Sequence, residues 1–320
     1  MQLKLAIIIL NYKTPDLVLD CLVSLENEIA PGIKVIVVDN DSNDGSVDRI
    51  EADIASNRWR GWVSVLRSPL NGGFSAGNNL GIQSVEADAY LLLNSDTIIR
   101  TGAIKQLLHA QTLHPDAGLI GPSMEDEHGD RTESAFNLIT PVTELVRSAQ
   151  TGPISRILHR YDTRLEETDT PFQPGWIGFA CVLIRREVIE QVGLLDENFF
   201  MYFEDIDYCR RVREAGWKIL YWREARIVHL LGSSSGVTSR EARMKRRPRY
   251  FYEARSRYFA KYYGAAGLWL ANFMWIIGRA IAFIRQLFGA KHIKSPKCEA
   301  CDIWINIIHP TRSPSQQEEG

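Results

Sequence analysis

The chain has 320 residues, of which 45% are hydrophobic and 24% charged, and its net charge is −2. That length supports one large domain, or a domain with an appendage, and the composition excludes a disordered or fibrous chain. The near-neutral charge supplies no global field for nucleic acid, and five cysteines scattered at 21, 181, 209, 298 and 301 do not read as a disulfide framework.

The N-terminus, "MQLKLAIIILNY", carries an apolar run from Leu5 to Leu10 that is too short for a signal-peptide core and reads as a buried first strand. With no export signal in view, the expected compartment is cytoplasmic. "TPDLVLDCLVSLENE" follows as a helix, with Pro15 at its first position and Leu17, Cys21, Leu22 and Leu25 on one face. "IKVIVVDN" predicts a second buried strand, "DSNDGS" a turn, and "GWVSVLRS" a third strand. "NGGFSAGNN", residues 71–79, is a loop leading into a helix, and "AYLLLN" is a fourth strand. "TGAIKQLLHAQTL" and "AGLIG" add a helix and a short strand. This alternation implies an α/β fold with a mainly parallel central sheet, whose ligands bind beyond the carboxyl ends of the strands. Those ends carry Asp39-Asn40, the Asn71 loop and Asn94-Ser95-Asp96, all polar.

From about residue 122 to 173 the pattern weakens, and "ITPVTELVRSAQTGPISRILHRY" has helical spacing without a clear core face. This stretch is expected to be a mobile or an acceptor-covering segment. Regular patterning returns at "GWIGFACVLIRREVIEQVG" and "MYFEDIDYCRRVREAGWKILYW", the latter a helix ended by Gly216 and followed by a strand.

Each polar cluster carries an ordinary reading beside a chemical one. Asp39 either caps a turn or accepts hydrogen bonds from a base or ribose. Asp96 lies just past a buried strand, where a carboxylate favours a hard divalent cation and a diphosphate over a helix cap several residues away. "NGGFSAGNN" is either a Gly/Asn turn or a place where backbone must approach a ligand closely. No G-x-G-x-x-G follows the first strand, so a dinucleotide fold is excluded. Glu204 and Asp205 are adjacent carboxylates among Phe199, Phe200, Tyr202 and Phe203, a setting in which a carboxyl pKa is tuned rather than solvated. Asp207 and Arg211, at i and i+4, read as a structural ion pair.

Four stretches in order, "VDNDSNDGS", "NGGFSAGNN", "LLLNSD" and "FFMYFEDIDYCRR", resemble the family-two inverting glycosyltransferases of the GT-A fold, in particular their bacterial rhamnosyltransferase-like branch. The resemblance covers about residues 5–262 and implies a nucleotide-diphosphate sugar donor, dTDP- or UDP-linked, with Mg2+ or Mn2+. It implies that Asp39, Asn40, Asn71, Gly72, Gly73, Gly77, Asn78 and Asn79 line the nucleotide sugar. It places the metal on Asp96, with His229 completing that site, and makes Asp205 the base with Glu204 holding acceptor or sugar. Asn94 stands where the family's metal motif has its first Asp, leaving one carboxylate there. Trp176, on a strand that resembles the one lining the family's sugar site, either stacks on a sugar ring or is core.

The expected organisation is a catalytic domain over 1–239, a basic and amphipathic helical extension over 240–290, and a flexible polar tail over 291–320. From Arg240 to Lys261 there are nine Lys/Arg and two Asp/Glu, a local charge of +7. The apolar stretch from Ala265 to Gly278, then interrupted by Arg279 and Arg285, is short for a span and reads as an interfacial helix on an anionic membrane. The other reading packs it on the domain or on a second copy. The expected activity is transfer of a sugar such as rhamnose to a glycan or lipid-linked acceptor at the inner membrane face, in cell-surface polysaccharide synthesis. The alternative is a nucleotide-binding module or sugar nucleotidyltransferase, against which the first strand leads into "NYKTP" rather than a basic Gly-rich loop.

Overall fold

The computed structural model describes residues 4–165, 170–230, 245–289 and 295–312. Its first third alternates strand and helix: β1 (Leu5–Asn11), α1 (Pro15–Leu25), β2 (Ile33–Asp39), α2 (Ser46–Ser56), β3 (Val63–Arg67), α3 (Gly73–Gln83) and β4 (Ala89–Asn94). β5 (Thr97–Ile99), α4 (Ala103–Leu113) and β6 (Ala117–Glu125) follow, then the short β7 (Arg131–Thr132) and β8 (Ala135–Phe136). The chain continues through α5 (Pro141–Ala149), α6 (Gly152–Ile157), β9 (Trp176–Ile177), β10 (Cys181–Arg185), α7 (Arg186–Val192), α8 (Glu204–Glu214) and β11 (Lys218–His229). α9 (Arg249–Leu287) and α10 (Glu299–Asp302) complete it.

The apolar runs of β1, β2 and β4 are continuous because both faces of the sheet are covered. Leu5, Ile7, Ile9, Val35, Val37 and Leu91 pack with Val18, Ile50 and Ile104 of the helices on one side. Ala6, Ile8, Ile36, Val38 and Leu92 pack with Ile82, Val188 and Cys209 on the other. Strand order is β3-β2-β1-β4-β10-β6-β11-β5, with β7 added against β6.

The sheet is mixed rather than mainly parallel. β1, β2, β3 and β4 pair in parallel, as do β6 and β11. β10 enters antiparallel between β4 and β6, and β5 lies antiparallel to β11. The reason is local: the chain comes back to the sheet at the rim where β4 leaves it, with Asn94 N donating to Ala180 O, so β10 must run the opposite way.

The stretch without a visible core face becomes α5, packed on α9. Its buried positions include Thr143, Glu144 and Ser148 beside Val146 and Ala149, which hides the helical stripe from an apolar pattern. Those polar groups are satisfied. The Thr140 and Thr143 side chains form a reciprocal capping box. Glu144 meets Arg147 at 2.8 Å and the buried Arg255 at 3.2 Å, and Arg147 also meets Glu299 at 2.8 Å. Burial acts to raise the Glu144 pKa, but the charges of Arg147 and Arg255 hold it down at about 2.

The basic segment is not a free surface patch. Arg246 forms two bonds to Asp302, Arg249 pairs with Glu253, Arg255 is buried beside Glu144, and Lys261 meets Asp196 and Asp207. Arg240 and Arg243 lie outside the described residues. Of the tail, residues 295–312 are described and lie against α9. Ile303 is fully buried, its carbonyl accepts from Asn272, and Ser256 donates to the Ile305 carbonyl. Residues 313–320 lie outside the described set.

α9 breaks at Gly264, whose φ of 67° and ψ of 179° are not helical. Beyond the break one face, with Leu268, Ala271, Asn272, Trp275, Gly278 and Ala282, turns inward, and Trp269, Leu270, Phe273, Ile276, Phe283 and Ile284 stay exposed. At Gly278 a Cβ would collide with the Ser148 hydroxyl and crowd the Leu145 carbonyl, so the close crossing of α5 and α9 requires glycine there. Gly278→Val is expected to cost about 1–3 kcal/mol by overpacking, seen as a lowered Tm with faster proteolysis between residues 264 and 295. A variant as stable and as resistant as the parent would show that the two helices are not held by this crossing.

Candidate active site

The polar strand ends meet at one rim of the sheet. β1, β2 and β4 end in Asn11, Asp39 and Asn94, with Asn11 paired to Asp39 in register. Asp39 is buried, and one of its oxygens accepts from Asn11 Nδ2 and Ser42 Oγ, each at 2.6 Å. Its other oxygen accepts the Ser42 amide at 3.2 Å. Asn11, which the sequence reading passed over, therefore orients the Asp39 carboxylate; the signal was a lone amide closing the apolar run of β1. Asn40 donates to Asn71 Oδ1 at 2.9 Å and to the Gly73 carbonyl at 3.0 Å. Its own oxygen is buried with no hydrogen-bond partner among the described residues, an acceptor available to a donor group on a ligand.

"NGGFSAGNN" serves chiefly to bind another part of this chain. Asn71 Oδ1 accepts the Gly73 amide as α3 begins. Gly73 has φ +81°, and a Cβ there would strike the carbonyl of Phe200, whose oxygen accepts from Phe74 N at 2.7 Å. Gly72 and Gly77 admit Ala76 and Leu10 closely. Asn79 is buried, donates to Leu195 O and Glu197 Oε1 at 2.9 Å each, and accepts from Leu195 N at 3.0 Å. Asn78 donates to Phe74 O within its own helix. The bare backbone and amides sequence reading assigned to a nucleotide thus hold the Leu195–Phe203 loop against the sheet rim.

That loop presents the acidic pair. Tyr202 and Phe203 both have positive φ, 71° and 66°, an uncommon state for bulky side chains, and one that persists only where the surroundings enforce it. α8 starts immediately after. Glu204 is buried and its Oε2 has no hydrogen-bond partner among the described residues. Burial, and then the charge of Asp205, push its pKa well above the usual carboxylate range. Asp205 is partly exposed, receives its own helix's Ile206 amide at 2.8 Å, and is pushed up to about 7 by burial. Asp207 and Arg211 form the expected ion pair at 2.9 Å.

Asp96 and His229 come together from distant sequence. Thr97 pairs with His229 across β5 and β11, and His229 Nε2 stands 3.4 Å from the buried Asp96 Oδ1. A carboxylate and an imidazole at that spacing suit one divalent cation with positions left for diphosphate oxygens. Among the described residues no cluster of three or more metal-ligating side chains exists, so a cation there would depend on the nucleotide. The residues fit the metal as an incomplete site. The "GSSSG" stretch after His229 lies outside the described residues. Trp176 lies in the two-stranded antiparallel β8–β9 sheet with one ring face stacked on Phe136 at 4.3 Å and its Nε1 donating to Asn137 O, and it stays partly exposed.

The model of the family described as Glycosyltransferase like family 2 matches residues 3–264. The chain is 30% identical over 222 residues to the N-acetylglucosaminyl-diphospho-decaprenol L-rhamnosyltransferase of Mycobacterium tuberculosis, covering 64% of this chain and 68% of that protein. It is 26% identical to the dTDP-rhamnosyl transferase RfbF of Shigella flexneri, over 63% of this chain and 61% of that protein. Among solved structures it superposes on the mannosyltransferase PcManGT from Pyrobaculum calidifontis, in complex with GDP-Man and Mn2+, with a TM-score of 0.57 at 12% identity, covering 91% of this chain and 77% of that one. Staphylococcus aureus TarS with UDP-GlcNAc gives a TM-score of 0.53 at 16% identity, over 90% of this chain and 74% of that one. These two likenesses establish a shared fold.

The Asp205 geometry has a consequence for stability. A carboxyl raised to about 7 in the fold and near 4 in the unfolded chain holds its proton more tightly when folded. Its contribution is complete below about pH 4 and is lost as pH rises through 7. Asp205→Asn is therefore expected to melt about 2–4 °C above the parent at pH 8 and to lose that advantage at pH 5. A pH-independent difference in Tm would show that Asp205 titrates normally.

Proposed function

Because the chain belongs to glycosyltransferase family 2, we propose that it transfers a sugar, with inversion, from a nucleoside-diphosphate sugar to a hydroxyl of a glycan or lipid-linked acceptor. The observation that carries this reading is the Glu204–Asp205 pair, with Glu204 buried and Asp205 partly exposed, at a strained helix start on the rim beside the strand ends. A carboxyl with a pKa near neutrality is matched to removing a hydroxyl proton. Asp205 takes the proton of the acceptor hydroxyl, and that oxygen bonds to the anomeric carbon. The bond from this carbon to the diphosphate oxygen breaks, and the nucleoside diphosphate leaves with the electron pair. One displacement inverts the anomeric centre. Glu204, whose proton is held more tightly by burial and by the charge of Asp205, donates a hydrogen bond to acceptor or sugar. Asp39 and Asn40 hold the nucleoside, and the Asn40 oxygen accepts from it. Asp96 and His229 hold Mg2+ or Mn2+, which supplies positive charge to the departing diphosphate. Trp176 offers its remaining ring face to a sugar. Rhamnose from dTDP-rhamnose is the donor supported by the two relatives named as rhamnosyl transferases, and a UDP-sugar is the competing donor.

The test is release of nucleoside diphosphate from dTDP-rhamnose and from UDP-sugars with Mg2+ or Mn2+, with the anomeric configuration of the product read by NMR. Asp205→Asn keeps donor binding by calorimetry and lowers turnover by about 10²-fold or more. Asp96→Ala, or excess EDTA on the parent, abolishes it. Full activity in EDTA would overturn the metal role, and an inactive Glu204→Gln beside a normal Asp205→Asn would exchange the two acidic roles.

The same reading places the enzyme in the cytoplasm at the inner face of the cell membrane, building surface polysaccharide. α9 is long and apolar enough to cross a membrane by length and composition. Its inward face, however, is occupied by α5, and its exposed Trp269, Phe273, Ile276 and Phe283 form one stripe, so it lies along the headgroup boundary. Since Arg246, Arg249, Arg255 and Lys261 are paired within the protein, attraction to anionic lipid is a smaller share of binding than the +7 segment implies. Sedimentation with vesicles is expected to persist at high salt and to fall at least about tenfold in Trp269→Ser/Phe273→Ser, since each lost anchor is worth more than about 1 kcal/mol. Release by salt alone would return the weight to electrostatics, extraction only by detergent would indicate a span, and a concentration-dependent dimer without vesicle binding would assign the stripe to a second copy.

A further inference from the structure

The acidic pair is held from behind by a residue of the C-terminal helix. Asp207, in the first turn of α8 and fully buried, receives Arg211 Nε at 2.9 Å, Lys261 Nζ at 2.6 Å and the Tyr262 hydroxyl at 2.7 Å. Lys261 Nζ also reaches Asp196 Oδ2 at 2.8 Å and lies 5.6 Å from the centre of the Phe199 ring. Asp196 and Phe199 belong to the loop that Asn79 and Phe74 tie to the sheet rim. One ammonium group therefore joins α9, the first turn of α8 and the loop that carries Tyr202 and Phe203. Arg210 stacks on the Tyr262 ring at 4.0 Å and closes the same interface.

We propose that Lys261 is a positioning residue for Glu204 and Asp205, acting through Asp207 and Asp196. Two consecutive bulky residues with positive φ need outside restraint to stay there. On the α3 side the loop is restrained by the Phe200 carbonyl against Phe74 N and by the Asn79 amide, and Lys261 adds an ionic restraint from α9. A buried carboxylate so close to the pair also carries an electrostatic cost, because the negative charge of Asp207 acts on Glu204 in the direction that keeps it protonated. The groups facing that charge are Arg211 on its own helix, Lys261 and Tyr262 on α9, and at longer range Arg257. Lys261 stands three residues before the Gly264 break. It is thus the last ionic tie to the catalytic helix before the half of α9 that carries the exposed apolar stripe.

The inference rests on the proposed transferase activity, and the experiment separates the two. The full chain is assayed for nucleoside diphosphate release from dTDP-rhamnose and UDP-sugars across pH 5.5–9 (about the range a carboxyl near 7 titrates in). A parent without transfer, or without a rising acid limb, refutes the transferase reading itself. Given that limb, Lys261→Met is expected to lower kcat about 10–100-fold, with KM for the donor little changed, and to move the limb upward by about 0.5–1 pH unit. Lys261→Arg restores most of both. Tyr262→Phe removes a bond to the same Asp207 oxygen without removing charge. It lowers kcat and leaves the limb in place, and it carries the test if Lys261→Met does not fold. Variants that melt earlier but keep the parent kcat and pH limb would make Lys261 a structural tie only and overturn the inference.

Discussion

The contact on which the rest of the site depends is a single backbone hydrogen bond, from Phe74 N at the start of α3 to the carbonyl of Phe200. It forms only because residue 73 is a glycine, since any Cβ there would occupy the position of that carbonyl. Around it Asn40, Asn71 and Asn79 use their amides on protein partners, so that the carboxyl rim of the sheet and the loop before α8 form one body. Two surfaces that a transferase must keep in register, the strand ends and the acidic pair, are then separated by one short, rigid bridge rather than by a long flexible loop.

This bridge explains why the strain at Tyr202 and Phe203 is tolerated. The two residues turn the chain sharply so that α8 opens with Glu204 buried and Asp205 partly exposed. Burying two adjacent carboxyls is unfavourable when both are charged, and the structure resolves the conflict by raising both pKa values rather than by supplying a cation to either. The cations go one turn further on, to Asp207. The arrangement sets two carboxyls with raised pKa values beside a neighbouring carboxylate fixed by Arg211, Lys261 and Tyr262. Net stability is given up at the first location and recovered at the second.

Much of this was legible in the sequence, and what was not has identifiable physical reasons. The continuous apolar runs of β1, β2 and β4 announced a sheet covered on both faces, and the four ordered motifs announced the family. The juxtaposition of Asp96 with His229, 133 positions further along the sequence, followed only from the resemblance, because it depends on β5 pairing with β11. The direction of β10 was invisible, since a buried strand reads the same whichever way it runs. The glycines and asparagines of residues 71–79 were recognised as unusual, but their tie to the loop before α8 was not foreseen. Composition shows that backbone must come close to something, and does not show whether that something is a ligand or the Phe200 carbonyl.

The C-terminal third shows the opposite limit. Its charge count implied a basic surface, yet charge in a sequence carries no information on pairing, and the partners here lie far away. Arg255 meets Glu144 from α5, Arg246 meets Asp302 from α10, and Lys261 meets Asp196 and Asp207. Each pair converts an apparent attraction for anions into a tie between elements. The described part of the tail is tied in the same way, with Glu299 adding a second carboxylate to Arg147 and Asp302 pairing with Arg246. What remains for an external partner on α9 is its apolar stripe. The segment is thus anchored to the catalytic body by charge along one half and offers hydrophobic surface along the other, with Gly264 at the junction. Adsorption of the outer half to a membrane would then act across the Gly264 break on a helix that Lys261 joins to the first turn of α8.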